Sequence, residues 1–542
     1  MEQKTSALAP FHVATFRNLW SATLFSNLGG LIQVAGASWL MMSLTNTNAV
    51  VSLIQAANTL PIVFFSLMAG ALADNFNRRR IMLIAQLSMM AVSILLAFLT
   101  FSNLMTPFLL LLFTFLIGCF NALYNPPWQA TVGDIVPKDQ IASAVTLNSV
   151  GFNLMRSVGP AIGGAIVATW GSAVAFICNA FSYLPLLTAL TLWKPKYEKK
   201  AFPREKLVGA MSDGLRYVLM SPHIINIMIR SFLFGCGAIS ILALVPLVAK
   251  NELGGSALVY GTLLGFFGIG AIFAGVFNAR LRAYMRNETI IVISFIGFAF
   301  SCFALAINHN LIISHLVLVP AGMCWVFALS LFNTSVQLST PRWVVSRALA
   351  LYQTSSFGGM AVGAWVWGQL ADTYNISISL IICSIFLIFG AIAGLKFRIY
   401  EIPNINFESN NQFREPELRL DLKARSGPIM IMVDYQISEE NLNRFLKLMA
   451  LRRIRRIRDG ARNWTLLNDL ENPEIWTETY HMPTWVDYLR HINRRTQQDI
   501  LLVKTLRRLN KNPNGVQVHR MIERHRVPGA HEIQLKPPIE PT

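Results

Sequence analysis

The amino-acid sequence predicts an all-α membrane protein of twelve transmembrane helices in two six-helix halves, followed by a small α+β ferredoxin-like cytoplasmic domain. Three observations predict it. Charged residues make up 14% of the 542, against about a quarter in soluble domains. The deficit is uneven, since ten of the 28 carboxylates lie in residues 1–398 and the rest crowd the end of the chain. Long apolar runs recur up to residue 397 and then stop, so the composition changes near residue 400 from membrane-like to soluble.

A bilayer core about 30 Å thick takes about 20 mostly apolar helical residues. Lipid offers the backbone no partners, so such runs must be helices. Twelve are expected, at 17–43, 49–73, 80–102, 107–131, 141–169, 172–193, 223–249, 257–279, 289–307, 311–337, 345–371 and 376–397. Lys4 and Arg17 ahead of the run from Leu19 mimic a signal peptide, but the run is long and lacks a convincing small-residue cleavage site, so it reads as the first span. Basic residues fall in alternate loops: Arg78–Arg80, Lys138, the run from Lys194 to Lys206, Arg280, Arg282 and Arg286, and Arg342 and Arg347. The intervening loops are nearly uncharged, with Lys250, Glu252 and Asp372 the main exceptions. The positive-inside rule places both termini in the cytoplasm of a bacterial inner membrane. This alternation accounts for much of the net charge of +18, and no nucleic-acid partner is inferred. The linker 194–222 separates an N-terminal bundle, 1–193, from a C-terminal bundle, 223–400.

The two halves carry a repeat. Shifted by 204 residues, Pro137 meets Pro341, Lys138 meets Arg342, Ala144 meets Ala348, Leu147 meets Leu351, Gly159 meets Gly363 and Gly164 meets Gly368. Parallel six-span repeats with a cavity between them describe one large class of alternating-access transporter. Six cysteines lie in apolar runs without a CxxC pair, as small hydrophobes would, and imply no metal site or cofactor.

Between spans 2 and 3 stands Gly70-Ala-Leu-Ala-Asp74-Asn-Phe-Asn-Arg78-Arg79-Arg80. Here the chain resembles the major facilitator superfamily: Gly70, Asp74, Arg78 and Arg79 match its loop signature, while Asn75 and Asn77 depart from it. The resemblance implies a conformational latch, so these four residues are expected to gate. Span 5 carries Gly159-Pro160-Ala-Ile-Gly163-Gly164, which resembles the superfamily's exporter-associated motif. Pro160 removes a helix hydrogen bond and the glycines admit a neighbouring helix, and Gly159, Pro160, Gly163 and Gly164 are likewise expected to gate.

Intramembrane cations are costly and often functional. Arg156 lies mid-span and is expected to meet an anionic substrate or to gate; Arg230, nearer a span end, reads as a snorkelling side chain. The expected substrate cavity comprises Asn27, Gln33, Tyr124, Trp128, Gln129, Arg156, Gln337 and Tyr352, a mixture of aromatic surface and scattered hydrogen-bonding groups. Helix–helix amide bonds are the alternative for the amides. No carboxylate sits mid-span; Asp134, His315 and Asp372 are the proton-coupling candidates.

After a linker at 401–426, residues 427–522 change period. Alternation over Ile429–Ile437 predicts a strand, and Ser438 begins a helix carrying Phe445, Leu448 and Leu451. A hairpin follows, Arg462–Leu470 and Ile475–Met482 around Asn472-Pro473, then a helix over 484–509 and a last strand, Val516–Ile522. The order βαββαβ is the ferredoxin-like split unit. The basic run Arg452–Arg458 is a helix face, directed to anionic headgroups or to solvent. Residues 523–542 read as a tail. The runs Asp459–Trp464, Pro473–Glu478 and Trp485–Arg490 resemble the cytoplasmic tail of the transmembrane secretion effectors, a subgroup related to enterobactin exporters, and related domains dimerise through their sheets. The resemblance implies a non-enzymatic, proton-coupled exporter of small amphipathic molecules such as drugs or siderophores. An importer on the same scaffold, and a membrane-anchored enzyme or sensor acting through the tail, are the alternatives.

Overall fold

The computed structural model describes residues 8–137, 140–194, 207–341, 343–399, 418, 420, 422–423, 425–493 and 497–523. Lys138, Arg342, residues 195–206, most of the 401–426 linker, the tail after Glu523 and the Asp74 side chain lie outside the described residues. The chain divides into two compact units. The first comprises Met1–Tyr197, His223–Gln337 and Leu349–Glu401; the second comprises Glu198–Pro222, Leu338–Ala348 and Ile402–Thr542.

In the first unit each predicted span is a helix. They are α1 (Ala14–Leu44), α2 (Asn48–Asn75), α3 (Arg78–Phe101), α4 (Pro107–Ile135), α5 (Ile141–Trp170), then α6 (Ser172–Ser182) with α7 (Leu184–Leu192). After the short α8 (Leu207–Leu219) of the second unit come α9 (Pro222–Leu247), α10 (Ala257–Tyr284), α11 (Asn287–Ile307), α12 (Leu311–Leu338), α13 (Val345–Thr373) and α14 (Ile376–Ile392). Among the described residues ten stretches are long and apolar enough to cross a membrane. The other two long helices, α1 and α13, carry more polar side chains, several of them buried.

Local chemistry sets the ends. Asn77, Thr106 and Asn375 each accept a hydrogen bond from a first-turn N–H of the helix they precede, satisfying a donor that the helix cannot. Gly171 closes α5 at φ +84°, where a side chain is disfavoured. The sixth span breaks at Tyr183, just before Pro185. The seventh runs into a π-helical turn, Val248–Glu252.

Arg230 does not snorkel. It is 0% exposed, donates to the Gly390 carbonyl and pairs with Glu288 at 3.2 Å. The second Glu288 oxygen accepts the Ile399 N–H at 2.9 Å. A cation on the last-turn carbonyls of α14 offsets the helix dipole, so Arg230 anchors the final span against α9 and α11.

In the second unit, strands β1 (Ile429–Gln436), β2 (Arg462–Asn468), β3 (Ile475–Met482) and β4 (Gln517–Ile522) form an antiparallel sheet in the order β2-β3-β1-β4. With α15 (Glu439–Arg458), α16 (Trp485–Asn493) and α17 (Gln497–Leu509), this is the expected ferredoxin-like unit. Of the helix expected over 484–509, the described residues are helical at Trp485–Asn493 and Gln497–Leu509. Ile429, Ile431, Val433 and Tyr435 point one way along β1 and pack on Phe445, Met449 and Tyr480, the period-2 burial a half-buried strand requires.

The buried stripe of α15 departs from the expected one. It runs Phe445, Met449, Arg452, Arg456, while Leu451 is 51% exposed. The reason is Glu478 on β3, 0% exposed, which takes Arg452 Nε at 2.7 Å, Arg456 Nε at 3.2 Å and Trp464 Nε1 at 3.0 Å. Two arginines of the basic run are therefore internal counter-ions, turned neither to headgroups nor to solvent. Arg456 also bonds His491 Nε2 at 2.7 Å and lies over the Tyr480 ring. Burial alone would raise the Glu478 carboxyl; Arg452 and Arg456 override it and hold it down at about 2. Its folded value lies below an unfolded value of about 4.3, so its contribution is complete above that pH and is lost as pH falls toward 2. Glu478→Gln strands two buried cations and is expected to cost the domain about 3–5 kcal/mol, seen as earlier proteolysis of the tail during heating of the full chain at pH 7.

Candidate functional site

Helices of the two halves cross at close range at Gly164 and at Gly368. At one, α5 of the first half crosses α10 of the second. A methyl group on Gly164 would lie 2.6 Å from Gly261 Cα and 2.7 Å from the Ala257 carbonyl, so the backbones touch. At the other, α2 crosses α13, where a methyl on Gly368 would collide with Ser52 and lie 3.1 Å from Ala49 Cα. Gly164 and Gly368 are the pair superposed by the sequence repeat, and each admits the helix of the opposite half that follows the bundle's first span. Gly159 and Gly163 pack instead on Leu31 and on Ile32 and Ala35 of α1, inside the first half. Small residues allow this approach, and van der Waals packing holds it. Among the described residues nothing lies within 4 Å of a methyl group added at Gly70.

At the ends remote from the N-terminus, the second half grips the turn between α1 and α2. The Asp372 carboxylate, at the end of α13, accepts the Asn48 and Ala49 N–H groups at 2.5 and 2.9 Å. Lys250 Nζ, in the π turn after α9, donates to the Met42 carbonyl at 2.8 Å. An anion thus meets the N-terminus of α2 and a cation the C-terminus of α1, each opposite the helix dipole it faces. Trp39 of α1 and Tyr260 of α10 stack across the halves with ring centres 6.3 Å apart. Nearer the other ends, Ser66 Oγ meets Thr354 Oγ1 at 3.0 Å.

Inside the bundle, Arg156 of α5 places its guanidinium 4.5 Å from the ring centre of Trp325 on α12, a cation–π contact between halves. Among the described residues no carboxylate pairs with Arg156. Among the described residues the buried Trp325 indole N–H and Gln33 amide nitrogen have no partner, and buried donors left open ask for a ligand or water. Tyr124 OH lies 3.1 Å from Thr23 Oγ1, and Tyr352 OH donates to the Leu329 carbonyl at 3.2 Å. These two tyrosines are committed to helix packing. Trp128 is buried, Asn27 half-buried and Gln129 exposed; Gln337 is exposed and bonds Asn333 at 2.6 Å. The structure brings Arg156 and Trp325 together and leaves most of the other predicted cavity residues in their own half.

The loop arginines act within the first half. Arg78 pairs with Asp134 at 2.5 Å, and Arg79 caps α7 through the Leu190 and Thr191 carbonyls at 2.7 and 2.6 Å. Asp134 is 61% exposed there. His315 bonds the Leu311 carbonyl at 2.7 Å and Thr262 Oγ1 at 2.9 Å, all in the second half. Of the three coupling candidates, Asp372 bridges the halves. In sequence Lys250 and Glu288 read as topology charges near span ends; the signal that marks Lys250 is its place in a loop set that is otherwise nearly uncharged.

Paired halves that meet at repeat-related crossings are the architecture of a large class of membrane transporters. The chain belongs to the transmembrane secretion effector family of the major facilitator superfamily, whose profile matches residues 5–527. It is similar to the staphyloferrin A transporter of Staphylococcus aureus, 23% identical over 66% of this chain and 89% of that one. It is also similar to the enterobactin exporter EntS of Escherichia coli, 25% identical over 57% of this chain and 74% of that one. In fold it matches a bacterial homologue of the human lysosomal transporter Spinster, solved in an inward-facing, unoccupied conformation, with a TM-score of 0.57 at 14% identity over 71% of this chain and 97% of that one. The chain is thus a multi-pass membrane transporter, not an enzyme.

Proposed function

We propose that the protein exports small, amphipathic, oxygen-rich anions across a bacterial inner membrane by alternating access, with both termini in the cytoplasm and proton influx as the driving force. The observation that carries this reading is Arg156 against Trp325, an interior cation without a carboxylate partner beside an open indole N–H. A guanidinium and N–H donors in an apolar surround suit carboxylate or catecholate oxygens. The names of the staphyloferrin A and enterobactin relatives favour that chemistry over a cationic drug. With termini inside, the grip of Asp372 and Lys250 lies on the outer face and closes it. Asp372 is the coupling candidate we favour, because separation of the halves would change the partners of its carboxylate, and coupling needs a group whose proton affinity differs between states.

The test is efflux of a catecholate or citrate-type chelator from energised vesicles or cells lacking their own exporters. Arg156→Ala is expected to weaken apparent affinity about 10- to 100-fold, the loss of one charged hydrogen bond at about 1.5–3 kcal/mol. Arg156→Lys keeps charge without the planar stack and should fall between. A protonophore should abolish efflux. Chelator retention unchanged by expression of the protein, with the protein shown in the membrane, would reject this substrate class.

A further inference from the structure

The second unit gathers three segments far apart in sequence: the linker helix α8, residues 338–348 before and into α13, and the tail domain. Tyr217 of α8 is their meeting point. It is 1% exposed. On one side its ring meets Trp343 edge-on, with centres 5.6 Å apart at 85°. On the other the Arg458 guanidinium, from the end of α15, lies 4.8 Å from its centre. Burial raises the Tyr217 hydroxyl to about 12, so the ring stays neutral. Arg458 is steadied by Asp459 at 3.2 Å. One turn away on α8, a methyl on Gly214 would come within 2.7 Å of Arg347 Cβ, so the helix lies directly on the first turn of α13. Gly460, at φ +116°, turns the chain after α15 so that its own Cβ position falls 3.5 Å from Arg216 Nη2. Arg216 is itself held by Asp213 at 2.7 Å.

These contacts sit where the chain feeds two spans. α8 ends just before α9 begins, and Trp343 stands just before α13. α13 is the helix that carries Thr354, Gly368 and Asp372 to the first half. We propose that the tail domain is a regulator of switching: through Arg458 it pins Tyr217 of the linker helix onto Trp343 and so restrains the base of α13. The proposal rests on the alternating-access reading above. It gives the tail a task that requires no chemistry of its own, and any ligand or partner that shifts α15 would change the switching rate.

The experiment uses the full chain with its six cysteines replaced and Ser346→Cys, an exposed position on the first turn of α13, as reporter. Alkylation of that cysteine by a maleimide is timed in the parent, in Tyr217→Leu, in Arg458→Leu and in the double variant. Chelator efflux is timed in the same proteins. Each single variant is expected to speed alkylation and alter efflux rate severalfold, and the double should add nothing beyond Tyr217→Leu, since Arg458 acts on Trp343 through Tyr217. Arg453→Leu, whose side chain lies over Trp464 within the tail, should leave both rates at the parental value. Tail integrity is checked by limited proteolysis, and Tyr217→Leu probes the contact without touching the tail fold. Parental alkylation in both single variants, or effects that add in the double, would overturn the proposal. Alkylation needs no transport, so a chain that moves no chelator but shows the non-additive labelling would sink the export reading and leave the pin standing.

Discussion

Gly164→Ala is expected to reduce efflux at least tenfold while leaving insertion and abundance close to wild type. A single methyl group there has nowhere to go. It would stand 2.6 Å from Gly261 Cα, 2.7 Å from the Ala257 carbonyl oxygen and 3.0 Å from the Gly261 nitrogen, all backbone atoms. A flexible side chain could swing aside; a helix backbone cannot without moving α10 as a whole. Overpacking of this kind costs about 1–3 kcal/mol where neighbours can relax, and this site is at or beyond the upper end. The cost falls on the state in which α5 and α10 touch, so the variant should be driven toward separation of the halves at these ends. Each 1.4 kcal/mol is a factor of ten in that equilibrium. Gly30→Ala, on α1 with nothing within 4 Å of the added methyl, is the matched control and should transport normally. Wild-type efflux by Gly164→Ala would mean that this crossing is not rigid in the working cycle.

Much of this architecture was legible in the sequence, because hydrophobic period and length are enough to fix helices in lipid. All twelve expected spans are helices with ends within a few residues of those expected, and the alternation in Ile429–Ile437 reports the face of β1 that packs on Phe445. The repeat was legible for a physical reason: Gly164 and Gly368 are preserved at matching positions because both admit a backbone. What could not be read was partnership. The sequence shows Arg230 and Glu288 as isolated charges 58 positions apart, and Arg452 and Arg456 as part of a basic stripe. Only the folded chain places Glu288 on the first and Glu478 between the others. The same limit hid the role of Tyr217, since nothing local in α8 announces Trp343 or Arg458. Amide side chains gave the weakest guidance, because Gln337 bonding Asn333 one turn away looks in sequence like a residue waiting for substrate.

Asp372→Ala is expected to open the ends that Asp372 and Lys250 now hold. The carboxylate accepts two backbone N–H groups that α2 cannot satisfy itself. A hydrogen bond to an ionised acceptor contributes about 1.5–3 kcal/mol, and the α2 dipole adds to it. Because Asp372 is only half-buried, solvent screens part of this, and a net loss of about 2 kcal/mol is reasonable for the pair, close to a 30-fold shift in the balance of states. Asp372→Asn retains one acceptor without the charge and should lose about half as much. Lys250→Ala removes one bond to the Met42 carbonyl and should lose less than Asp372→Ala. Spin labels at Asn46→Cys and Tyr374→Cys, both exposed positions flanking the grip, report it directly once the native cysteines are replaced. The parent should show one short distance at neutral pH, and Asp372→Ala a dominant longer one. A parent and an Asp372→Ala variant with the same distance distribution would show that the grip does not govern the opening, and the coupling role of Asp372 would fall with it.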